Sequence, residues 1–218
     1  MKQKTLFIIA FASLVLAFVF GALIYTAEKN QESSQRAEAN PSSLVRMHSP
    51  TLGPAGAPVV IVEFLDPACG TCRTFYPAVK EMLADNPDQI RLVLRYAPFH
   101  QGSDQVVALM EAARRQGQFW PVLETLLANQ NQWVQNHTAQ IARVWPLVEG
   151  LGLDRDKLQA DMASPEVAAV VAQDLEDAQT LNVTKTPEFF VNGKPLPSFG
   201  YQQLKDLVDN ALSEARSR

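Results

Sequence analysis

The sequence predicts an α/β fold in which a parallel strand–helix–strand core is interrupted by a long helical block and preceded by one apolar N-terminal helix. Three observations predict it. Residues 57–65 (APVVIVEFL) and 90–99 (IRLVLRYAPF) are β-branched apolar runs suited to buried strands. A helical stretch from Cys69 to about Ala84 lies between them, the spacing of a right-handed crossover with parallel strands. From Ser103 the pattern turns helical for about 75 residues, and the uncharged run from Thr5 through Ala27 is, at ~1.5 Å per residue, long enough to cross a ~30 Å hydrocarbon layer.

The elements follow in order. Lys2 and Lys4 stand on the amino side of the apolar run and Glu28 on the other, so the positive-inside bias leaves the rest of the chain outside the cytoplasm. Residues 1–27 read as an anchor in the cytoplasmic membrane, single-pass, with the C-terminal part in the periplasm or extracytoplasmic space. The competing reading is a cleaved signal segment; Ala37-Glu38-Ala39 has the small-x-small form but lies well past the run, and Tyr25-Thr26-Ala27 puts a ring where a small residue is wanted. Residues 28–43, polar and ending in Pro-Ser-Ser, read as a flexible linker.

Residues 44–102 and 181–218 then form the α/β domain, with 103–180 as an inserted all-helical subdomain. Five stretches in the insertion carry apolar residues at three- and four-residue spacing; Asp154 and Ser164-Pro165 suit helix starts, and Gly150 and Gly152 a helix exit. Trp120, Trp133 and Trp145 read as its core. PEFFVNGKPLP (187–197) reads as a hairpin turning at Asn192-Gly193, and an amphipathic helix from Gln202 to about Ala215 closes the chain.

Composition excludes some functions. A chain of 218 residues that is 47% hydrophobic can bury one sizeable core. Its net charge of -4, with no basic run, leaves nothing suited to a nucleic acid.

The chemistry lies in the two cysteines, Cys69 and Cys72, spaced as Cys-Gly-Thr-Cys with Gly70 and Thr71 between them. A structural zinc site needs four ligands, and His48, His100 and His137 are too scattered to complete one, so no metal is expected. A structural clip gains little from so short a loop. At a strand-to-helix turn, however, unpaired N–H groups and the helix dipole favour a Cys69 thiolate, and Cys72, one turn on, faces inward to resolve a mixed disulfide. That placement predicts redox activity.

GPAGAPVVIVEFLDPACGTCRTFYP resembles the start of the DsbA-like branch of the thioredoxin superfamily, and TKTPEFFVNGKPL resembles the segment that faces the cysteine pair in that fold. The similarity runs in order from about Leu52 to Leu212, with the helical insertion that distinguishes this branch from plain thioredoxin. The resemblance implies a thioredoxin fold with an inserted helical subdomain and protein thiol-disulfide oxidoreductase activity without a cofactor. It also implies a buried acidic residue behind the cysteines, here Glu63, whose position in a buried strand suits a proton acceptor for Cys72. It implies a cis-proline loop at Pro187, with the Thr186 backbone as the edge on which a substrate strand docks. Pro77 resembles the proline that kinks the active-site helix of thioredoxins.

The direction of electron flow stays open. Strongly oxidising relatives carry histidine before the second cysteine; Thr71 predicts a milder oxidant, and Arg73 reads as a solvated helix residue. Thr186 resembles isomerase-type relatives, yet the short tether leaves no room for the extra N-terminal domain that joins their protomers. The expected function is therefore a membrane-tethered thiol-disulfide oxidoreductase acting on exported cysteine-containing proteins and reset by a membrane or soluble redox partner. The alternatives are a tethered binding or assembly module with idle cysteines, and a reductase or isomerase dedicated to one client.

Overall fold

A computed structural model describes residues 2–217. Met1, Arg218 and the side chains of Thr5 and of Lys2, one of the two amino-side charges, lie outside the described residues. A five-stranded mixed sheet is built from β1 (Thr51–Leu52), β2 (Val59–Leu65), β3 (Ile90–Tyr96), β6 (Glu188–Val191) and β7 (Lys194–Pro195), in the order β1-β3-β2-β6-β7. Strands β2 and β3 run parallel around the crossover helix α3 (Gly70–Asp85), whereas β6 is antiparallel to β2. The hairpin β6–β7 turns at Asn192 (φ 47°) and Gly193 (φ 81°), the left-handed pair that a two-residue turn of this kind requires. The Asn192 side chain also accepts from Val60 N (2.8 Å) and donates to the Pro58 carbonyl (3.1 Å), pinning the turn to β2.

The helical block follows β3 as α4 (Ser103–Arg114), α5 (Phe119–Ala128), the short α6 (Gln130–Trp133), α7 (Ile141–Val148), α8 (Arg155–Met162) and α9 (Pro165–Thr180). Asp154 and Ser164 cap α8 and α9 as their sequence positions suggest. Trp133 is fully buried, and Trp120 and Trp145 pack partly buried against the core. One apolar cluster runs from the sheet through α3 into α4, α5 and α7, so the block and the strand–helix–strand unit share a core. A small hairpin, β4 (Val134–Gln135) and β5 (Thr138–Ala139), has no counterpart in the sequence reading; it is too short to leave an alternating pattern. The chain closes with α10 (Tyr201–Arg216).

The expected flexible linker over 28–43 is corrected. Helix α1 runs unbroken from Lys2 to Ala39, and the short α2 (Pro41–Leu44) follows. After Gly21 the segment has no glycine or proline before Pro41, its Glu, Lys, Gln, Arg and Ala are strong helix formers, and Glu32 pairs with Arg36 at 2.7 Å one turn on. It is also docked: Ala37 and Leu44 join a core cluster with Val62, Phe64 and Phe190, and Asn30 Nδ2 donates to the Pro197 carbonyl at 2.6 Å. Polarity hid a helix with one narrow apolar contact face.

Directly after it, a buried charge network locks this segment to α9. Arg95, fully buried on β3, donates to Asp174 (2.7 and 3.1 Å), to Asp177 (2.5 Å) and to the Ser43 carbonyl. Arg46 grips Asp177 with two bonds (2.8 and 2.6 Å), and His48 Nε2 lies 2.7 Å from Asp174. Burial works to raise the Asp177 carboxyl, but hydrogen bonds from Arg46, Arg95 and Ser43 hold it down at about 2. Ahead of Glu28, α1 is long and apolar enough to cross a membrane by length and composition, and Leu6, Phe7, Phe11, Leu14, Phe18 and Phe20 all lie exposed along it.

Candidate active site

Strand β2 delivers the chain to the site. After Leu65 a tight turn forms in which Asp66 Oδ1 accepts from Ala68 N (2.9 Å) and the Asp66 carbonyl accepts from Cys69 N (3.0 Å). Cys69 then occupies the N-cap of α3 in extended conformation (φ -75°, ψ 119°), at the helix end where first-turn N–H groups lack intrahelical partners and the helix dipole is positive. Cys72 lies one turn further along. Both are free thiols; Cys69 is 6% exposed and Cys72 0%.

The two sulfurs have opposite electrostatics. A hydrogen bond from the Cys72 thiol is the largest influence on Cys69; burial opposes it, while the Thr186 side chain and the N–H groups of Cys72 and Thr71 add to it, and the Cys69 thiol falls to about 5. Cys72 is driven far up, first by burial and then by the hydrogen bond it donates to the Cys69 sulfur. The pair therefore joins one readily ionised thiol, slightly exposed, to one fully buried thiol that holds its proton.

Glu63 lies where the sequence suggested. It sits in the middle of β2, paired across the backbone with Leu94 on one side and Phe189 on the other, and is 0% exposed rather than on a sheet edge. Neither carboxyl oxygen has a hydrogen-bond partner. Burial, with the Cys69 charge as a smaller cause, pushes it up to about 8, and its own charge adds to the rise of Cys72. Its proton thus sits near neutrality and within electrostatic reach of both sulfurs.

The loop before β6 closes the site from the other side. The Thr186–Pro187 bond is cis, and the Cys69 thiol donates to the Thr186 carbonyl at 3.2 Å. Thr71, Gly70 and Arg73 are exposed at the start of α3. A Cβ on Gly70 would meet only Gln130 Oε1 at 3.9 Å, an ordinary contact, so space alone does not demand glycine there. Among the described residues, no group of three His, Cys, Asp or Glu side chains is placed to hold a metal ion.

Sequence reasoning missed the residues that hold the cysteine turn. Asp66 is fully buried and takes four donors: Ala68 N, His100 N (2.8 Å), His100 Nδ1 (2.7 Å) and the Ser103 hydroxyl. Gln130, buried on α6, reaches out of the helical block and donates from Nε2 to the carbonyls of Pro67 (2.8 Å) and Cys69 (3.0 Å). An Asp-Pro pair at a strand end does signal a turn, but nothing local marks a glutamine 61 positions away as its support.

Comparison with known proteins places this geometry. A family model described as thioredoxin matches residues 46–210. A thioredoxin-like oxidoreductase from Silicibacter pomeroyi superposes with a TM-score of 0.69 at 34% identity, covering 79% of this chain and 97% of that one. The oxidised form of BdbD from Bacillus subtilis (TM-score 0.67, 24% identity, 76% of this chain and 94% of that one) and the catalytic domain of ScsC from Proteus mirabilis (TM-score 0.69, 18% identity, 83% and 98%) share the fold. Among curated proteins, the chain is 35% identical over 170 residues to a Na(+)/H(+) antiporter NhaA 3 of Salinispora tropica, covering 76% of this chain and 25% of that protein. It is 30% identical over 188 residues to an NhaA antiporter of Herminiimonas arsenicoxydans, covering 84% and 29%. The chain thus spans about a quarter of the length of the curated relatives it matches.

Proposed function

The chain belongs to the thioredoxin family, and from that premise we propose that it is a DsbA-like thiol-disulfide oxidoreductase in which Cys69 is the nucleophile and Cys72 the resolving thiol. The observation that carries this is geometric: Cys69 stands at the N-cap of α3 with its sulfur 3.2 Å from the carbonyl of Thr186, the residue before the cis Pro187, and the fully buried Cys72 lies one turn on. In the reducing direction, the Cys69 thiolate attacks one sulfur of a client disulfide, forming a mixed disulfide and expelling the other client sulfur as a thiolate. Cys72 then gives its proton to Glu63 and attacks Cys69, releasing the second client thiolate and leaving a Cys69–Cys72 disulfide; two electrons have passed to the client. The oxidising direction is the same path reversed, with Glu63 returning the proton to Cys72. A Glu63 carboxyl at about 8 suits both roles, since it accepts and returns a proton near neutral pH.

Stabilising the Cys69 thiolate stabilises the dithiol form over the disulfide, so the low Cys69 value favours disulfide donation. The client strand docks along Thr186, whose carbonyl already faces the sulfur, with Pro187 fixing the loop. The apolar, exposed first part of α1 supports membrane tethering, and with it a client class of exported cysteine-containing proteins and a redox partner that resets the disulfide. The test is a pair of variants of the full chain: Cys69→Ser abolishes insulin reduction and traps nothing, while Cys72→Ser accumulates client mixed disulfides. Turnover by Cys69→Ser refutes the assignment, and an inert wild type that still retains clients points instead to a binding module.

A further inference from the structure

A crevice of about 410 Å³ opens beside the cysteine turn, on the side of the helical block, with Gly70 in its wall. Its basic lining comes from three separate elements: Arg73 from α3, His100 from the loop after β3, and His137 from the turn between β4 and β5. None of the described residues lining it is acidic. Asn131 and Asn136 add neutral amide groups at its rim.

The walls are held in place by bonds already described and by others that the redox chemistry does not use. Asp66 fixes the His100 ring through Nδ1 in the crevice wall. The β4–β5 hairpin is latched to the same loop, since Ala139 N donates to the Gln101 carbonyl (2.8 Å) and Thr138 bridges to Gln101. The latch requires close approach at Gly102, where a Cβ would come within 2.6 Å of the Ala139 carbonyl oxygen and where φ is 77°. In consequence the rings of His137 and His100 lie stacked with centroids 6.0 Å apart. Arg73, exposed one residue after Cys72, has no carboxylate partner among the described residues.

We propose that this crevice is a carboxylate-recognition subsite that selects clients carrying an Asp or Glu side chain close in sequence to the reacting cysteine. The proposal rests on the redox assignment of Cys69 and names its substrate class. Cys69 lies between two client contacts: the Thr186 edge takes the client backbone on one side, and the crevice takes an acidic side chain on the other. The Arg73 guanidinium, with five donors and no carboxylate partner among the described residues, offers a fork contact to such a group, and the exposed His137 imidazole adds a second polar contact beside it.

The experiment uses the detergent-solubilised full chain and a matched set of mixed-disulfide peptides with Asp, Asn or Lys at one to three positions from the cysteine, at low and high salt. Wild type is expected to react about fivefold faster with the best Asp peptide than with its Asn match at low salt, the order given by one or two exposed ion pairs, with the advantage falling at high salt. Arg73→Ala with His137→Ala removes the preference, and Arg73→Glu turns it toward the Lys peptide; both positions are exposed, and far-ultraviolet dichroism checks the fold. Equal rates for Asp and Asn peptides in wild type, or a preference that survives Arg73→Glu, overturn the subsite while leaving the redox assignment standing. Wild type that reacts with none of the peptides overturns the redox assignment itself.

Discussion

Replacing Glu63 by Gln isolates the electrostatics of the site in a single stability measurement. The Glu63 carboxyl sits at about 8 in the fold against an ordinary value of 4.5. A group raised in this way binds more protons folded than unfolded, so it leaves stability intact below pH 4.5 and removes it as pH climbs through 8. The 3.5-unit difference, at ~1.4 kcal/mol per unit, sets a ceiling of about 5 kcal/mol. In the reduced protein Cys69 works with the opposite sign: lowered from 9 to about 5, it adds stability above pH 9 that is lost as pH falls through 5. Between pH 5 and 8 the two slopes nearly cancel in the dithiol form, whereas the disulfide form, without the Cys69 charge, keeps the larger, burial-driven part of the Glu63 slope. Denaturant unfolding of the full chain in detergent, followed by tryptophan fluorescence, is expected to show oxidised wild type losing several kcal/mol across that window and oxidised Glu63→Gln staying level. Parallel curves for the two oxidised proteins would refute the buried, unpaired carboxyl and its role as proton acceptor.

Other perturbations test the scaffold around the site. Gln130→Ala removes the two bonds to the Pro67 and Cys69 carbonyls and is expected to cost about 1–3 kcal/mol of stability and to speed hydrogen exchange at the cysteine turn more than at β3; uniform exchange rates would argue against a local role. Arg95→Leu strips Asp174 and Asp177 of their buried partner and is expected to cost about 3–5 kcal/mol, lowering the melting temperature by roughly 10 °C. Because Arg95 also holds the Ser43 carbonyl, proteolysis between residues 40 and 50 accelerates in the same variant; an unchanged cleavage rate would detach that network from the docking of α1 and α2.

The parts of this fold that were legible in the sequence are those with short-range signatures. β2 and β3 announce themselves as apolar β-branched runs, Asn192-Gly193 as a turn, and Ser164-Pro165 as a helix start, because each depends on residues within a few positions. Glu63 was legible for a related reason: a lone charge in VVIVEFL is costly unless it has a task, and here it lies buried with neither oxygen bonded. The cis bond at Pro187 and the facing of Thr186 came through family resemblance, since no local energetic signal separates cis from trans there.

What escaped depends on distant partners. Residues 28–39 have the polarity of a tether, and only the seat that Val62, Phe64 and Phe190 offer to Ala37 makes them a docked helix. His48 and His100 looked scattered because their partners, Asp174 and Asp66, stand 126 and 34 positions away. The docking of α1 changes the functional picture too, because it gives the domain a fixed connection to the apolar helix in place of a free leash.

The most direct test of the whole account is the ionisation of Cys69. Thiolate absorbance near 240 nm, followed against pH in the reduced full chain with the oxidised protein as baseline, is expected to give one transition with a midpoint at about 5, matched by the pH dependence of alkylation at Cys69. A midpoint near the ordinary thiol value of ~8.5 would contradict it.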